Sequence, residues 1–131
     1  MSAEDLETIR RGIEAYNAGD VDGVVAMADP RVRFRPLRKL LEGGDYIGHD
    51  GMRRYMADMD EDWSECEIDV SELRELDDLV LVLGEFHGVG KSGAEVRYPV
   101  AWLCEMSEGK LARMRAYSSQ DEAFEALGLS A

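Results

Sequence analysis

The stretch YNAGDVDGVVAMADPRVRFRP, Tyr16 to Pro36, changes character twice. Upstream of it, Leu6, Ile9, Ile13 and Tyr16 recur at intervals of three and four, which predicts a helix over 4–18 with one buried face. Asn17-Ala18-Gly19 ends that helix, with Gly19 as the left-handed cap. Asp20 caps a second short helix carrying Val21, Val24, Val25 and Ala28, which Pro30 stops. Val32 and Phe34 then alternate with Arg31, Arg33 and Arg35, so a strand with one apolar and one cationic face follows, and Pro36 ends its regular pairing. The arginines of this strand point away from the core, toward solvent or toward acids.

Residues 37–45, LRKLLEGGD, read as a loop with one amphipathic turn, and Tyr46-Ile47-Gly48-His49 as a brief extended segment. Asp50 caps a third helix whose buried side carries Met52, Tyr55, Met56, Met59 and Trp63. After Trp63 the apolar period becomes two, and four long strands form an antiparallel meander, with glycines 88, 90 and 93 marking one turn and Glu108-Gly109 a tight second one. A short helix over 121–127 ends at Gly128. The expectation is an α+β fold over 1–131 as one domain: three N-terminal helices packed on a bent, mostly antiparallel sheet, with a short C-terminal helix.

Twenty-eight acidic residues against fifteen basic ones give a formal net charge of -13, which disfavours nucleic acid and anionic membranes as partners. The N-terminal residues lack a signal-peptide pattern and no apolar run is long enough to span a bilayer, so a soluble cytoplasmic protein is expected. Cys66 and Cys104 lack metal-ligand spacing and read as buried free thiols. GVGKSG lacks the spacing and context of a phosphate-binding loop and reads as a hairpin turn. The sequence calls for no cofactor and no metal.

The long strands also carry a facing pattern. With Glu108-Gly109 as a two-residue turn and Lys91-Ser92 at the tip of the hairpin before it, Pro99, Ala101 and Leu103 share a face with Met114, Ala116 and Ser118, and with Val80, Val82 and Phe86. That small-residue face would be concave and would hold Arg97. Trp102, Val100, Tyr98 and Leu83 would then form an exposed apolar patch on the convex side, which argues for a homodimer through the sheet. Glu85 and His87 would lie on that side too, unless a bulge among the glycines reverses them.

YNAGDVDGVVAMADPRVRFRP, YIGHDGMRRYM and SEGKLARMRAYSSQDEAFEALGL together resemble SnoaL-like domains of the nuclear transport factor 2-like superfamily, over nearly the whole chain. The resemblance implies a cystatin-like cone, a bent sheet wrapped around helices with a pocket at its open end, and dimerisation by sheet packing. Relatives include polyketide cyclases, ketosteroid isomerases, limonene epoxide hydrolases and scytalone dehydratases. Carried over by that resemblance, the isomerase base falls on Pro36, or on Arg35 with a one-residue slip, its two oxyanion donors fall on Met56 and Ala101, and its helix-one Tyr falls near Gly12, so isomerisation by that mechanism is disfavoured. Pro99 and Ala101 stand where the epoxide hydrolase would need acids. Of the cyclase acid/base positions, only His87 and Glu85 remain.

These readings converge on a small apolar or aromatic ligand held inside the cone. Tyr16, Phe34, Tyr46, Tyr55, Met56, Trp63, Phe86, Met114 and Ser118 are the candidate lining, Arg97 the candidate oxygen anchor, and His87 the candidate catalytic acid/base of a cyclase- or isomerase-type proton transfer. Each has a plainer reading: core for the apolar residues, an ion pair for Arg97, a strand end for His87. The alternative function is a non-catalytic dimerising or ligand-carrier module.

Overall fold

The computed structural model describes residues 2–128. Its elements are α1 (Ser2–Ala18), α2 (Val21–Ala26), β1 (Ala28–Arg35), α3 (Leu37–Glu42), β2 (Tyr46–Ile47), α4 (Gly48–Asp62), β3 (Trp63–Leu76), β4 (Leu79–Gly90), β5 (Glu95–Ser107), β6 (Lys110–Tyr117) and α5 (Gln120–Ala126). The six strands form one sheet in the order β2-β1-β6-β5-β4-β3, curled around α1 and α4. β3 to β6 make the expected antiparallel meander, and β1 joins it parallel to β6. No helix of the described residues is long and apolar enough to cross a membrane.

The opening stretch folds in the predicted order of helix, short helix and strand. Gly19 ends α1 at φ 72°, and the Asp20 carboxylate accepts from the Gly23 amide to cap α2. Asn17 does more than end a helix. Its side chain donates to the Ile68 carbonyl at 2.9 Å and accepts from the Ile68 amide at 2.8 Å, so an amide side chain takes the place of a neighbouring strand on the edge strand β3. Two of the three arginines on β1 converge on one buried carboxylate: Arg35 Nε lies 2.6 Å and Arg33 Nη2 3.4 Å from Asp45.

Several boundaries differ from the sequence reading. α2 ends at Ala26 and Pro30 sits inside β1, where its missing amide is tolerated at an irregular step of the β1–β6 ladder. LRKLLEGGD is not a loop, because Leu37–Glu42 form a helix closed by Gly43 at φ 86°. α4 begins at Gly48, so Asp50 lies in its first turn and does not cap it.

The larger correction concerns β5. The turn between β4 and β5 has three residues, Lys91-Ser92-Gly93, because Gly93 adopts φ 93° and the Gly90 amide closes on the Ala94 carbonyl. On the other side of β5, Glu108-Gly109 is the tight turn expected, but Glu105 faces Arg113 while Met106 faces Leu111, so Ala112 is an extra residue. Each offset is a single residue, and together they turn β5 over relative to β4 and β6. Val100, Trp102 and Cys104 therefore face inward with Val80, Val82, Phe86, Met114 and Ala116. Leu81, Leu83, Ala101 and Leu103 face outward beneath Ala123, Phe124 and Leu127 of the C-terminal segment. Three of the four residues expected to form an exposed dimer patch, Trp102, Val100 and Tyr98, thus belong to the interior cluster. The fourth, Leu83, lies in the covered outer patch.

Candidate functional site

Two spaces flank α4. The first, about 580 Å³, lies inside the cone and is walled by Tyr55 and Met59 from α4, by Trp63, which was expected on that helix but opens β3, by Ile68, Phe86, Tyr98, Val100 and Trp102 from the sheet, and by Pro36, Leu37, Arg38, Glu42, Asp62 and Ser118 near the rim. Its size falls within the roughly 300–1,000 Å³ of small-molecule pockets. The aromatic wall is ordered by its own contacts: Phe86 stacks on Tyr98 with ring centroids 4.8 Å apart, and Trp63 meets Phe86 edge-on at 5.1 Å.

Charge is confined to the end made by α3 and the last turn of α4. Arg38 Nη1 donates to Asp62 Oδ2 at 2.7 Å and lies 3.8 Å from Met59 Sδ, while Nη2 is 3.7 Å from Glu42. Burial alone would lower the Arg38 pKa. The Asp62 hydrogen bond and the surrounding Tyr46, Asp62 and Glu42 outweigh it, and the guanidinium stays charged. Nearby, Tyr46 Oη donates to Asp58 at 2.6 Å; this bond holds the Asp58 carboxyl below its ordinary range.

The second space, about 610 Å³, is a groove between the α1–α2 turn, α4 and the first half of β3. Its lining is more polar, with Asn17, Arg53, Asp60, Glu65, Glu67 and His87 beside Tyr16, Met56, Met59, Trp63 and Cys66. Tyr16 Oη lies 3.6 Å from Cys66 Sγ. Burial, with Tyr55 and Cys66 close by, pushes the Tyr16 phenol far above its ordinary range, and burial raises Cys66 as well. Both stay protonated at neutral pH and act as hydrogen-bonding groups. Both cysteines are free, and burial pushes the Cys104 thiol up to about 12.

The structure distributes the sequence candidates over four places. Tyr55, Trp63, Phe86 and Ser118 line the cone cavity. Tyr16 and Met56 line the second groove. Phe34, Tyr46 and Met114 are buried in the core around Tyr55 and line neither space, with the Phe34 and Tyr46 rings 4.8 and 5.4 Å from the Tyr55 ring. Arg97 is the clear correction: it stands exposed on the outer face, with Nη1 2.8 Å from Glu85. It follows β5 outward and cannot anchor a ligand in the cone. His87 sits opposite Arg97 in the ladder, with Nδ1 3.9 Å from Glu67, and borders the second groove instead of the cone. Pro36 lines the cavity, and its side chain has no group that could take a proton there, while Arg35 pairs with Asp45.

Sequence reasoning missed Arg38, Asp62, Tyr98 and Trp102 as cavity residues. Tyr98 and Trp102 had a usable signal, two large aromatics four apart on one strand and hence on one face. Arg38 had none once its segment was read as a loop. Among the described residues, no group of three His, Cys, Asp or Glu side chains is placed to hold a metal ion.

The model of the SnoaL-like domain family matches residues 9–114, from α1 to the last sheet strand. This chain belongs to the SnoaL-like family. Solved structures of the same fold include a nuclear transport factor 2-like protein of unknown function from Burkholderia pseudomallei K96243, at TM-score 0.80 and 21% identity, covering 93% of this chain and 95% of that one. TerC co-crystallised with polyporic acid aligns at TM-score 0.79 and 22% identity, covering 95% of this SnoaL-like chain and 97% of TerC. A candidate polyketide cyclase from Xanthomonas campestris pv. campestris aligns at TM-score 0.79 and 18% identity, over 95% and 96% of the two chains. At these identities the likeness shows the fold. No curated protein matches the sequence.

Proposed function

We propose that this SnoaL-like chain binds a flat aromatic small molecule inside the cone. The observation that carries this reading is the cavity of about 580 Å³ walled by Tyr55, Trp63, Phe86, Tyr98 and Trp102, with its charged groups gathered at one end. Aromatic walls favour stacked ring systems, and the Arg38–Asp62 pair offers a polar end for a hydroxyl or carbonyl. The co-crystallisation of a fold neighbour with polyporic acid supports a small-molecule role for such a cone.

A saturable titration with 6-propionyl-2-(dimethylamino)naphthalene tests this. The expected outcome is a blue-shifted emission that saturates, and an affinity at least about tenfold weaker in Trp102→Ala. Absence of saturable binding overturns the reading.

A catalytic reading has one specific support. The Asp62 carboxyl group stands at the rim, 2.7 Å from Arg38 Nη1, where it could take a proton from a ligand lying against Trp63. His87 lacks that placement, since it borders the other space. Asp62→Asn is expected to abolish any turnover while binding persists, and His87→Ala to leave both unchanged. Self-association through the sheet, the remaining part of the proposal, would use the charged outer surface around Glu85 and Arg97, because α5 covers the apolar part; light scattering at micromolar concentration reads it directly.

A further inference from the structure

We infer that Met59 and Trp63 form a partition that sets ligand length, so that the cone takes compact polycyclic aromatics and excludes an extended acyl chain from the groove beyond; this rests on the cone being the ligand site. Met59 and Trp63 line both spaces. Met59 lies in the last turn of α4, and Trp63, the extended residue that follows the helix, opens β3, so the two side chains stand at the junction of helix and sheet, with Tyr55 and Asp62 on the cone side and Met56, Ala57 and Asp60 on the groove side. What lies behind them is another space of about 610 Å³, so these two side chains separate two voids where an ordinary pocket wall would be backed by packed protein.

The sheet is shaped to receive the indole. A Cβ at Gly88 would come within 2.8 Å of Trp63 Cε3 and 2.7 Å of Phe86 Cε2, so the absence of a side chain there lets the ring lie across β4. Phe86 then holds it edge-on from the cone side, and Met59, itself buried, fills the space on the helix side next to the Arg38 guanidinium. A bicyclic or tricyclic ring system can use the aromatic wall up to this point. A chain that continues inward meets the indole, and one that turns back leaves through the rim into water.

The consequence is a dependence of affinity on chain length. A methylene that finds a buried site gains about fourfold in affinity, and one that stays in water gains nothing. The experiment titrates the full chain with 6-dimethylaminonaphthalen-2-yl ketones carrying acetyl, propionyl, pentanoyl and octanoyl chains. In the unsubstituted protein, affinity is expected to level off beyond propionyl. In Trp63→Ala, and independently in Met59→Ala, it is expected to keep rising by about twofold to fourfold per methylene, even though the naphthalene head itself binds less tightly. Loss of aromatic packing alone would lower the whole series without changing its slope.

A continued rise along the series in the unsubstituted protein overturns the partition, and so does a plateau that survives in either folded variant. These results leave the cone as the ligand site. Failure of every ketone to bind the unsubstituted protein overturns that reading as well.

Discussion

The inner face of the sheet carries Val82, Val100, Trp102 and Met114, all buried, against α1, α4 and the cavity between them. The outer face carries Leu81, Leu83, Ala101 and Leu103 under α5, and beyond that patch the ion pairs Glu85–Arg97 and Glu105–Arg113. Both faces have an apolar centre, so hydrophobicity alone does not tell them apart. What separates them is the cover. The inner face meets two long helices with a cavity of about 580 Å³ between them and the sheet, whereas the outer face meets one seven-residue helix packed on Leu81, Leu83 and Ala101. The lining of the inner cavity therefore follows from which side of β5 turns inward, and that is decided by two single-residue irregularities.

The strongest way to break this comparison is on β6. Met114 is 1% exposed and faces Cys104, while Arg115, its neighbour, points outward beside the Tyr117 ring. Met114→Ala is expected to cost about 2–5 kcal/mol of unfolding free energy, and Arg115→Ala within about 0.5 kcal/mol, in denaturant titrations. Equal costs would mean that the bulge at Ala112 does not set the faces.

An intermediate effect is expected where α5 covers the outer patch. Phe124 is half-buried, packs against the Leu81–Leu83 cluster and lies 5.4 Å from the Arg74 guanidinium. Phe124→Ala should cost about 1–2 kcal/mol, less than a full core deletion, and raise the binding of a hydrophobic dye. A loss as large as that of Met114→Ala would make the outer patch a second core of equal rank.

Much of the fold was legible because its signals are local. The three- and four-residue spacing of Leu6, Ile9, Ile13 and Tyr16, the Asp20 cap, and the alternation around Val32 and Phe34 each involve neighbours in sequence. The register of β5 was not, because it depends on whether the loop before it has two residues or three and on an extra residue at Ala112, and neither leaves a mark in the hydrophobic pattern. The site inherited that error. Tyr55 and Phe86 lie on elements whose facing was read correctly, and they line the cone; Trp63 lines it too, although it opens β3 instead of closing the helix. Arg97 was placed inside and Trp102 outside by the same one-residue shift, and the structure exchanges them. Arg38 was out of reach for another reason: a six-residue helix with no capping side chain has little signal of its own and depends on tertiary packing.

Arg97 gives the smallest expected effect and the most direct control on the exchange. Its Nη1 is 2.8 Å from Glu85 Oε1, yet the two side chains are 61% and 46% exposed. Water and salt screen such a pair, so Arg97→Ala should change stability by at most about 0.5 kcal/mol. It should also leave the affinity for 6-propionyl-2-(dimethylamino)naphthalene unchanged, because the whole thickness of the sheet stands between the guanidinium and the cone. A charge facing an apolar cavity would behave otherwise. Its removal would relieve a desolvated cation and strengthen binding of a neutral aromatic, or weaken binding if the guanidinium held the carbonyl. Either shift would place Arg97 inside and turn β5 back over, and with it Trp102 would leave the cavity wall.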